Sequence, residues 1–372
     1  MTPVSVGINL LWLVPGVVGG SEESTLASLR ALSDLAPDDL DLRLFVLEPF
    51  AAAHPDVTAA FRTTVLPLSG RSRAARVGGE ASWLASRTRR LDLVHHAGGT
   101  APPMRGAPYV LTVHDLQPLE HRATHGRLKR AYLRAILPRS VHAARRIAVP
   151  SEFVRQSLLT QLDANPLRVV VIPHGIETNP APTSIEVLSD RYQLDGPFVL
   201  YPAITYPHKN HAVLVDAFAA VVARHPDALL VLTGGEGGEE ERVRAQVEGL
   251  HLTDRVRRTG RIPAADLAGL YRAASIVAVP SRYEGFGLPA VEALAYGAPL
   301  VAAAATALPE VVGEAGELVD PDDVDGWAAA ISDLLAAPDE RARRAEAGLV
   351  QARRYSWAAN AAALADLYRG AV

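Results

Sequence analysis

The chain has 372 residues, a formal net charge of −4 and an apolar fraction of 49%. This length favours two domains, and this composition is ordinary for a globular protein. The absence of cysteine excludes disulfides and cysteine-ligated metals. No apolar run approaches the ~20 residues of a membrane helix. Because the apolar N-terminal segment also lacks a preceding basic region, we expect a cytoplasmic protein without a signal peptide.

Short apolar segments alternate with helical patterns along the chain. This alternation predicts an α/β protein with parallel sheets and helices on both faces, since strands buried on both sides are apolar throughout. The predicted strands of the first half are 4–11, 42–48, 93–96, 109–113, 146–150 and 169–173. Those of the second half are 198–202, 228–233, 255–259, 275–280 and 300–304.

The polar segment 177–184 contains two prolines and indicates a linker between two doubly wound halves. We therefore predict Rossmann-like domains at 1–180 and 181–356 that face each other across a cleft. A C-terminal helix within 357–372 is predicted to pack back on the first domain. Ligands of open parallel sheets lie beyond the carboxyl ends of the strands, so the loops that follow strands hold the candidate residues.

A glycine pair, Gly19 and Gly20, follows the first strand and precedes a helical pattern. Backbone at such a helix start can contact a phosphate. A plain turn with an N-cap explains the pair equally well.

Histidines end several of the predicted strands in the first half. His114 is followed by Asp115 at the end of strand 109–113, where such a pair suggests either a polar active-site group or a structural histidine. The other strand-end histidines are His95, His96 and His174.

Positive charge is concentrated in the first half of the chain. Residues 1–186 carry 20 Lys and Arg against 16 Asp and Glu, whereas residues 187–372 carry 17 against 25. The basic residues are densest between Arg122 and Arg146. This stretch is either a solvated helix face or a docking surface for an anionic acceptor or membrane. Nucleic acid is disfavoured, since interleaved aromatic residues are lacking and the whole chain is acidic.

Lys209, one of two lysines in the chain, lies in the loop YPAITYPHKNH at 201–211. A point charge on a flexible stem suits a diphosphate, although a surface lysine near a helix start would look similar. His208 and His211 lack an evident third ligand, so we expect no metal site.

The loop LTGGEGGEE at 232–240 contains Gly234. Its glycines would let the backbone approach a ligand closely, but the pattern is no dinucleotide fingerprint, and a flexible turn is an equal alternative. The next predicted strand ends at Thr259, Gly260 and Arg261, which could contact a nucleotide base.

The most informative segment is SRYEGFGLPAVEALAYG at 281–297. Glu284 and Glu292 flank a Gly-Phe-Gly turn that leads into a helix start. The helix N-terminus favours an anion, and the carboxylates accept hydrogen bonds from hydroxyl groups. The segment therefore predicts a site for a phosphorylated sugar.

Together these motifs resemble glycosyltransferase family 4, whose members are retaining enzymes of the GT-B fold. The resemblance covers most of residues 1–357 and is densest from 198 to 320. It also includes VHD at 113–115, VIPHGIE at 171–177, TGR at 259–261 and ALPEVVGEAG at 307–316.

The resemblance implies roles for the matching residues. Lys209 would neutralise the donor diphosphate, Glu284 would bind sugar hydroxyls, and Glu292 would bind the ribose. The implied catalytic residues are His114, Lys209 and Glu284. The implied donor-binding residues are Gly19, Gly20, Gly234, Arg261, Gly285, Phe286, Gly287, Leu288 and Glu292.

One position departs from the family pattern. Many members have an Arg six residues before the Lys, where this chain has Ala203. Arg282 and His208 are the candidates for a replacement in the phosphate clamp.

No carboxylate cluster for a divalent metal is visible in the sequence, so we expect metal-independent transfer. The resemblance implies transfer of a hexose from a nucleotide-diphosphate sugar with retention of configuration. The N-terminal run IN-LLW-PG-VVGG is similar to that of mannosyl- and rhamnosyl-type bacterial enzymes, which favours a mannose-like sugar and GDP-mannose as donor. The expected acceptor is a glycan or a lipid-linked molecule at the inner membrane face, with no cofactor and no nucleic acid. The alternatives are a nucleotide-sugar epimerase, a phosphorylase with pyridoxal phosphate, and a non-catalytic sugar-binding protein of the same fold.

Overall fold

The computed structural model describes residues 2–17, 20–102, 107–117, 127–179 and 181–372, with only the backbone for 127–130. The chain divides into two compact units. Unit 1 comprises Met1–Gly175 and Ser356–Val372, and unit 2 comprises Ile176–Tyr355. The division thus falls after residue 175, whereas the sequence placed it after residue 180.

Unit 1 contains a parallel sheet of seven strands. The strands are β1 (Val4–Asn9), β2 (Leu40–Leu47), β3 (Arg62–Leu66), β4 (Leu93–His96), β5 (Tyr109–Thr112), β6 (Arg146–Val149) and β7 (Val169–Val171). Their order is β3-β2-β1-β4-β5-β6-β7. The chain reverses its direction across the sheet between β1 and β4, and such a switch point is where doubly wound sheets bind ligands.

The helices of unit 1 cover both faces of this sheet. They are α1 (Gly20–Leu35), α2 (Glu48–Ala53), α3 (Pro55–Ala60), α4 (Arg73–Gly79), α5 (Ala85–Thr88), α6 (Arg127–Ala143), α7 (Glu152–Leu162) and the C-terminal helix, Trp357–Arg369. The C-terminal helix packs along α1. Its Asn360 accepts a hydrogen bond from Ser28 Oγ at 2.7 Å and donates one to the Pro173 carbonyl at 2.7 Å.

Unit 2 contains a parallel sheet of six strands in the order β10-β9-β8-β11-β12-β13. The strands are β8 (Phe198–Pro202), β9 (Leu229–Thr233), β10 (Val256–Gly260), β11 (Ile276–Val279), β12 (Leu300–Ala303) and β13 (Glu317–Val319). Its helices are α8 (Ile185–Tyr192), α9 (His211–Arg224), α10 (Glu240–Gly249), α11 (Ala264–Ala273), α12 (Leu288–Ala295), α13 (Leu308–Val312), α14 (Val324–Ala336) and α15 (Pro338–Ala352). The C-terminal helix of unit 1 is α16. The switch point of this sheet lies between β8 and β11.

The prediction of parallel α/β sheets is confirmed. Every predicted strand is present, with ends that differ by at most two residues. The sequence missed β3 and β13, which are the edge strands beside β2 and β12. Both strands are short, partly exposed and contain polar or charged residues, so they lack the continuous apolar pattern that identified most of the other strands.

No helix among the described ranges is long and apolar enough to span a membrane.

Candidate functional site

Lys209 lies in a short 3₁₀ turn between β8 and α9, and its neighbours hold that turn in place. Tyr201, which is fully buried in β8, donates a hydrogen bond to the Lys209 carbonyl at 2.7 Å. The next residue, Asn210, has a left-handed φ of 57°. Its Nδ2 donates to the Pro280 carbonyl at 3.1 Å and to the Pro321 carbonyl at 2.7 Å. The turn is thereby tied to the ends of β11 and β13.

The structure brings Lys209 and Glu284 together. Lys209 Nζ donates to Glu284 Oε1 at 2.6 Å, and the two side chains are 17% and 11% exposed. The lysine follows β8 and the glutamate follows β11, so the pair lies at the switch point of the sheet. In this half-enclosed position each charge compensates the other.

The backbone from Glu284 to the start of α12 is shaped by specific contacts. The Glu284 N–H donates to Thr306 Oγ1 at 3.0 Å. Gly287 has a φ of 97° at the helix N-cap, and a Cβ there would lie 2.7 Å from Leu308 Cδ2. Both the conformation and the close approach therefore require glycine.

Phe286 is a packing residue rather than a side-chain ligand. Its ring is 5% exposed and packs edge-on against Tyr355, with ring centroids 5.4 Å apart. The buried ring leaves only the backbone of Phe286 for a ligand, and the resemblance implies a role for the backbone of Gly285–Leu288; that role stays a prediction.

Glu292 lies on α12 and is held by a tyrosine. Tyr271 Oη donates to Glu292 Oε2 at 2.6 Å, and the buried Tyr271 ring stacks on Tyr296 with centroids 5.5 Å apart. A carboxylate that is oriented in this way keeps acceptor capacity for hydroxyl groups.

The loops after β8 and β9, together with the end of β10, line a cavity of about 300 Å³. Gly234, with a φ of 137°, lies so close to β8 that a Cβ would be 2.5 Å from the Ala203 carbonyl oxygen. The exposed Arg261 lies outside this cavity lining, with its Nε 3.0 Å from the position of a Cβ on Gly235.

The wall of the same cavity contains a buried histidine and an ion pair between a buried glutamate and a partly buried arginine. His211 is 2% exposed, and burial lowers its pKa to about 4. Glu240 accepts a hydrogen bond from Thr205 Oγ1 at 2.8 Å and forms an ion pair with Arg258. The cavity therefore offers both acceptors and donors to a ligand.

In unit 1, His114 lies just beyond β5, where its tautomer is fixed by one hydrogen bond. Its Nε2 donates to the Ala97 carbonyl at 3.0 Å, so Nδ1 is the unprotonated nitrogen of the neutral ring. Nδ1 is buried and has no partner among the described residues. Burial lowers the pKa of His114, which keeps the ring neutral.

His114 belongs to a group of neutral histidines, of which His95 is buried while His114 and His174 are partly buried. It stacks on His174 with ring centroids 5.8 Å apart, and burial lowers the pKa of His174 to about 3. His95 interacts with Thr112 Oγ1 at 2.7 Å and with Tyr368 Oη of α16 at 2.8 Å. These histidines line a cavity of about 50 Å³, which has room for one or two water molecules.

Two predictions fall partly beyond the described residues. Gly19 lies outside them, while Gly20 is the exposed first residue of α1. The first residues of the basic stretch, 122–126, also lie outside, and the side chains of 127–130 are not described.

Three contributors to the site were missed at the sequence level. Tyr201 and Tyr271 lie inside a strand and a helix, where an apolar pattern conceals a functional hydroxyl. Arg258 lies within β10, and its partner Glu240 is 18 residues away in the chain. No local motif marks such partners. The absence of a metal remains a prediction; the described residues contain no group of three His, Asp or Glu that could hold one.

Two Rossmann-like parallel sheets, with a Lys–Glu pair at a switch point and a glycine turn before a helix, match the GT-B fold of glycosyltransferases. Comparison with known proteins supports this class. Residues 18–180 match the model of Glycosyltransferase Family 4, and residues 189–350 match Glycosyl transferases group 1.

Two curated relatives and one solved structure illustrate the likeness. O-antigen chain mannosyltransferase B of Escherichia coli is 32% identical over 72% of this chain and 71% of its own length. A D-inositol 3-phosphate glycosyltransferase of Corynebacterium glutamicum is 35% identical over 61% of this chain, and the match spans 57% of that relative. Sucrose-phosphate synthase from Thermosynechococcus elongatus shares the fold with a TM-score of 0.78, 23% identity and 98% coverage of both chains. The chain belongs to glycosyltransferase family 4.

Proposed function

We propose that this glycosyltransferase moves a hexose from a nucleotide-diphosphate sugar to a glycan or lipid-linked acceptor, with retention of configuration and without a metal. The observation that carries the proposal is the Lys209–Glu284 ion pair at the switch point of unit 2, 2.6 Å between Nζ and Oε1. Glu284 directly precedes the glycine turn 285–287 that leads into α12, so a cation, a carboxylate and a helix N-terminus lie close together.

The chemistry that these groups supply is stabilisation of a leaving diphosphate. As the glycosidic bond breaks, negative charge grows on the phosphate oxygens, and Lys209 together with the positive end of the α12 dipole favours that charge. Glu284 and Glu292 would bind hydroxyl groups of the sugar and the ribose. On this proposal Glu284 is no displacement nucleophile, because its carboxylate orients the donor instead. The place of His114 beside the transferred sugar is carried over from the family resemblance.

We favour mannose as the transferred sugar and GDP-mannose as the donor. The Escherichia coli relative is named as a mannosyltransferase that acts on an O-antigen chain, which supports both the sugar and a glycan acceptor. A lipid-linked acceptor would bring the protein to the inner face of the membrane.

A phosphorylated inositol is a second candidate acceptor. Relatives from Corynebacterium glutamicum and Thermobispora bispora are both named D-inositol 3-phosphate glycosyltransferases, and the second match covers 96% of this chain. Incubation with inositol phosphate and with mannose-terminated oligosaccharides, in separate reactions, distinguishes the two acceptors by the mass of the product.

The experiment that tests the function begins with donor binding. Purified protein is heated with GDP-mannose, UDP-glucose and UDP-N-acetylglucosamine, and a true donor should raise the unfolding temperature by mass action. Transfer from that donor should persist with EDTA, and NMR of the product should show the donor's anomeric configuration. Absence of a thermal shift with any nucleotide sugar, or inversion at the anomeric carbon, would contradict the proposal. Visible absorbance from a lysine-bound pyridoxal phosphate would favour the phosphorylase instead.

A further inference from the structure

The charged side chains at the switch point of unit 2 do not balance the negative charge of a diphosphate. Lys209 is already neutralised by Glu284 at 2.6 Å, and both side chains are largely withdrawn from solvent. A diphosphate that enters beside this pair brings at least two negative charges, which are costly in a half-enclosed site without a further cation. Ala203, which lines the adjoining cavity, contributes only a methyl group.

We propose that Arg282 is the second cation for the donor diphosphate and that Asp322 holds it in place until the donor binds. This inference rests on the proposed function of the same site. In this arrangement Arg282 binds the substrate, and Asp322 competes with the diphosphate for Arg282.

The backbone places Arg282 beside the lysine turn. Its N–H donates to the His208 carbonyl at 2.8 Å, and His208 directly precedes Lys209. Arg282 is also two residues before Glu284 in the segment that follows β11. Its long side chain therefore originates next to both members of the Lys–Glu pair.

Asp322 is anchored to the other side of the same turn. Arg282 Nε and Nη2 both donate to Asp322 Oδ1, at 2.9 and 2.5 Å. Asp322 follows Pro321, whose carbonyl accepts a hydrogen bond from Asn210, the residue after Lys209. The Arg282–Asp322 pair is thus tied at both ends to residues that flank Lys209.

The two ion pairs differ in how easily they exchange partners. The side chains of Arg282 and Asp322 are 41% and 68% exposed, so solvent screens their attraction, and the pair contributes little to stability. A guanidinium binds phosphate oxygens in a bidentate manner and more strongly than a screened carboxylate. Exchange of Asp322 for the diphosphate is therefore favourable, whereas the enclosed Lys209–Glu284 pair resists separation.

The test measures nucleotide binding by calorimetry in three variants. UDP and GDP are titrated against wild type, and the tighter one is used thereafter, with its nucleoside as the ligand without phosphate. Arg282→Ala should weaken binding of the diphosphate by about tenfold or more, the usual effect of losing a charge-assisted hydrogen bond. Binding of the nucleoside should stay unchanged.

Asp322→Asn gives the decisive contrast. Because the aspartate competes for Arg282, its removal should leave diphosphate binding equal to wild type or tighter. A merely structural ion pair predicts the opposite, namely that both substitutions weaken binding alike. Arg282→Lys, which retains the charge but loses the fork, should fall between wild type and Arg282→Ala.

The matched control is Arg224→Ala, which breaks an exposed ion pair with Asp333 elsewhere in unit 2, 3.1 Å long with side chains 55% and 72% exposed. It should bind the diphosphate as wild type does. Equal affinity of wild type and Arg282→Ala would overturn the role of Arg282 while leaving the proposed function intact. Failure of wild type to bind any nucleoside diphosphate would overturn the proposed function, and the inference with it.

Discussion

The side chains at the carboxyl ends of the strands differ in charge between the two sheets: they are neutral in unit 1 and charged in unit 2. In unit 1 the ends of β4 and β5 present histidines that burial keeps neutral, with the pKa of His95 lowered to about 3 and that of His96 to about 4. In unit 2 the corresponding edge presents Lys209 and Glu284, which are both charged and paired.

This contrast indicates what each edge can bind. A neutral imidazole with a free acceptor nitrogen suits hydroxyl groups and gains nothing from a charged ligand. A cation beside a helix start suits an anion. On the proposed function the carboxyl edges of two similar sheets bind ligands of different chemistry, which is expected when function depends on the site and not on the fold.

The largest effect is expected from breaking the charged pair of unit 2. Lys209→Ala and Glu284→Ala should each lower the rate of sugar transfer by about 10²–10³-fold, the usual loss when one preorganised electrostatic group is removed. Each substitution also leaves its partner without a counterion, so the free energy of unfolding should decrease too. Steady-state kinetics and chemical denaturation measure the two effects separately.

Arg224→Ala, which breaks an exposed ion pair, serves as the control for both measurements. Circular dichroism establishes that each variant is folded before its rate is compared. Near-normal transfer by either Lys209→Ala or Glu284→Ala would show that the charged pair of unit 2 is not required for catalysis.

The neutral edge of unit 1 should make the protein sensitive to acid. Unfolded histidines bind protons near pH 6.5, whereas burial keeps the folded rings of His95, His96 and His174 neutral down to pH values of about 3 to 4. As the pH falls below 6.5, the unfolded chain therefore binds more protons. The free energy of unfolding should decrease by about 1.4 kcal/mol per pH unit for each ring, until the pH reaches the folded pKa.

Urea denaturation between pH 7 and pH 5 measures this slope. His95→Gln should reduce this slope by the contribution of one ring, about 1.4 kcal/mol per pH unit, even if the variant is less stable at every pH. The exposed His251→Gln is the control and should leave the slope as in wild type. A stability that does not change over this range would show that the buried rings are protonated in the folded state.

The sequence revealed much of the fold because apolar strands and glycine turns are local signals. Glu284, Gly287 and Glu292 were recognisable for the same reason, since they lie within nine residues of one another in one motif. The partners of these residues were not predictable. Tyr271 is 21 residues from Glu292, and Asn210 meets the Pro321 carbonyl over a separation of 111 residues. Such contacts depend on the packing of whole elements, which no single segment encodes.

Position 287, in the glycine turn between Glu284 and Glu292, should tolerate no side chain. Gly287→Ala would place a Cβ 2.7 Å from Leu308 Cδ2 at a φ of 97°. We expect a decrease of about 2–3 kcal/mol in the free energy of unfolding, from the left-handed conformation and the overpacking together. Gly249→Ala is the matched control, because no atom lies within 4 Å of a Cβ there. A Gly287→Ala variant as stable as this control would show that the turn can adopt another conformation.

The smallest effect concerns the tyrosine that orients Glu292. Tyr271→Phe removes the hydrogen bond of 2.6 Å to Glu292 Oε2 and keeps the buried ring in its stack on Tyr296. Because a hydrogen bond to a charged group contributes about 1.5–3 kcal/mol, the KM for the nucleotide sugar should rise roughly tenfold or more. The kcat should change little, because on the proposed function Glu292 binds the ribose and not the sugar whose bond breaks.

The neighbouring Tyr296→Phe provides the control for that measurement. It removes a hydroxyl of the same stack, one that accepts a hydrogen bond from the Asn179 N–H at 2.7 Å and not from a carboxylate. If both variants raise the KM equally, the effect comes from the stacked rings and not from the orientation of Glu292. If Tyr271→Phe alone raises the KM, charged residues at the edge of unit 2 bind the ribose as well as the diphosphate. The neutral histidines of unit 1 carry no charge with which to bind either group in this way.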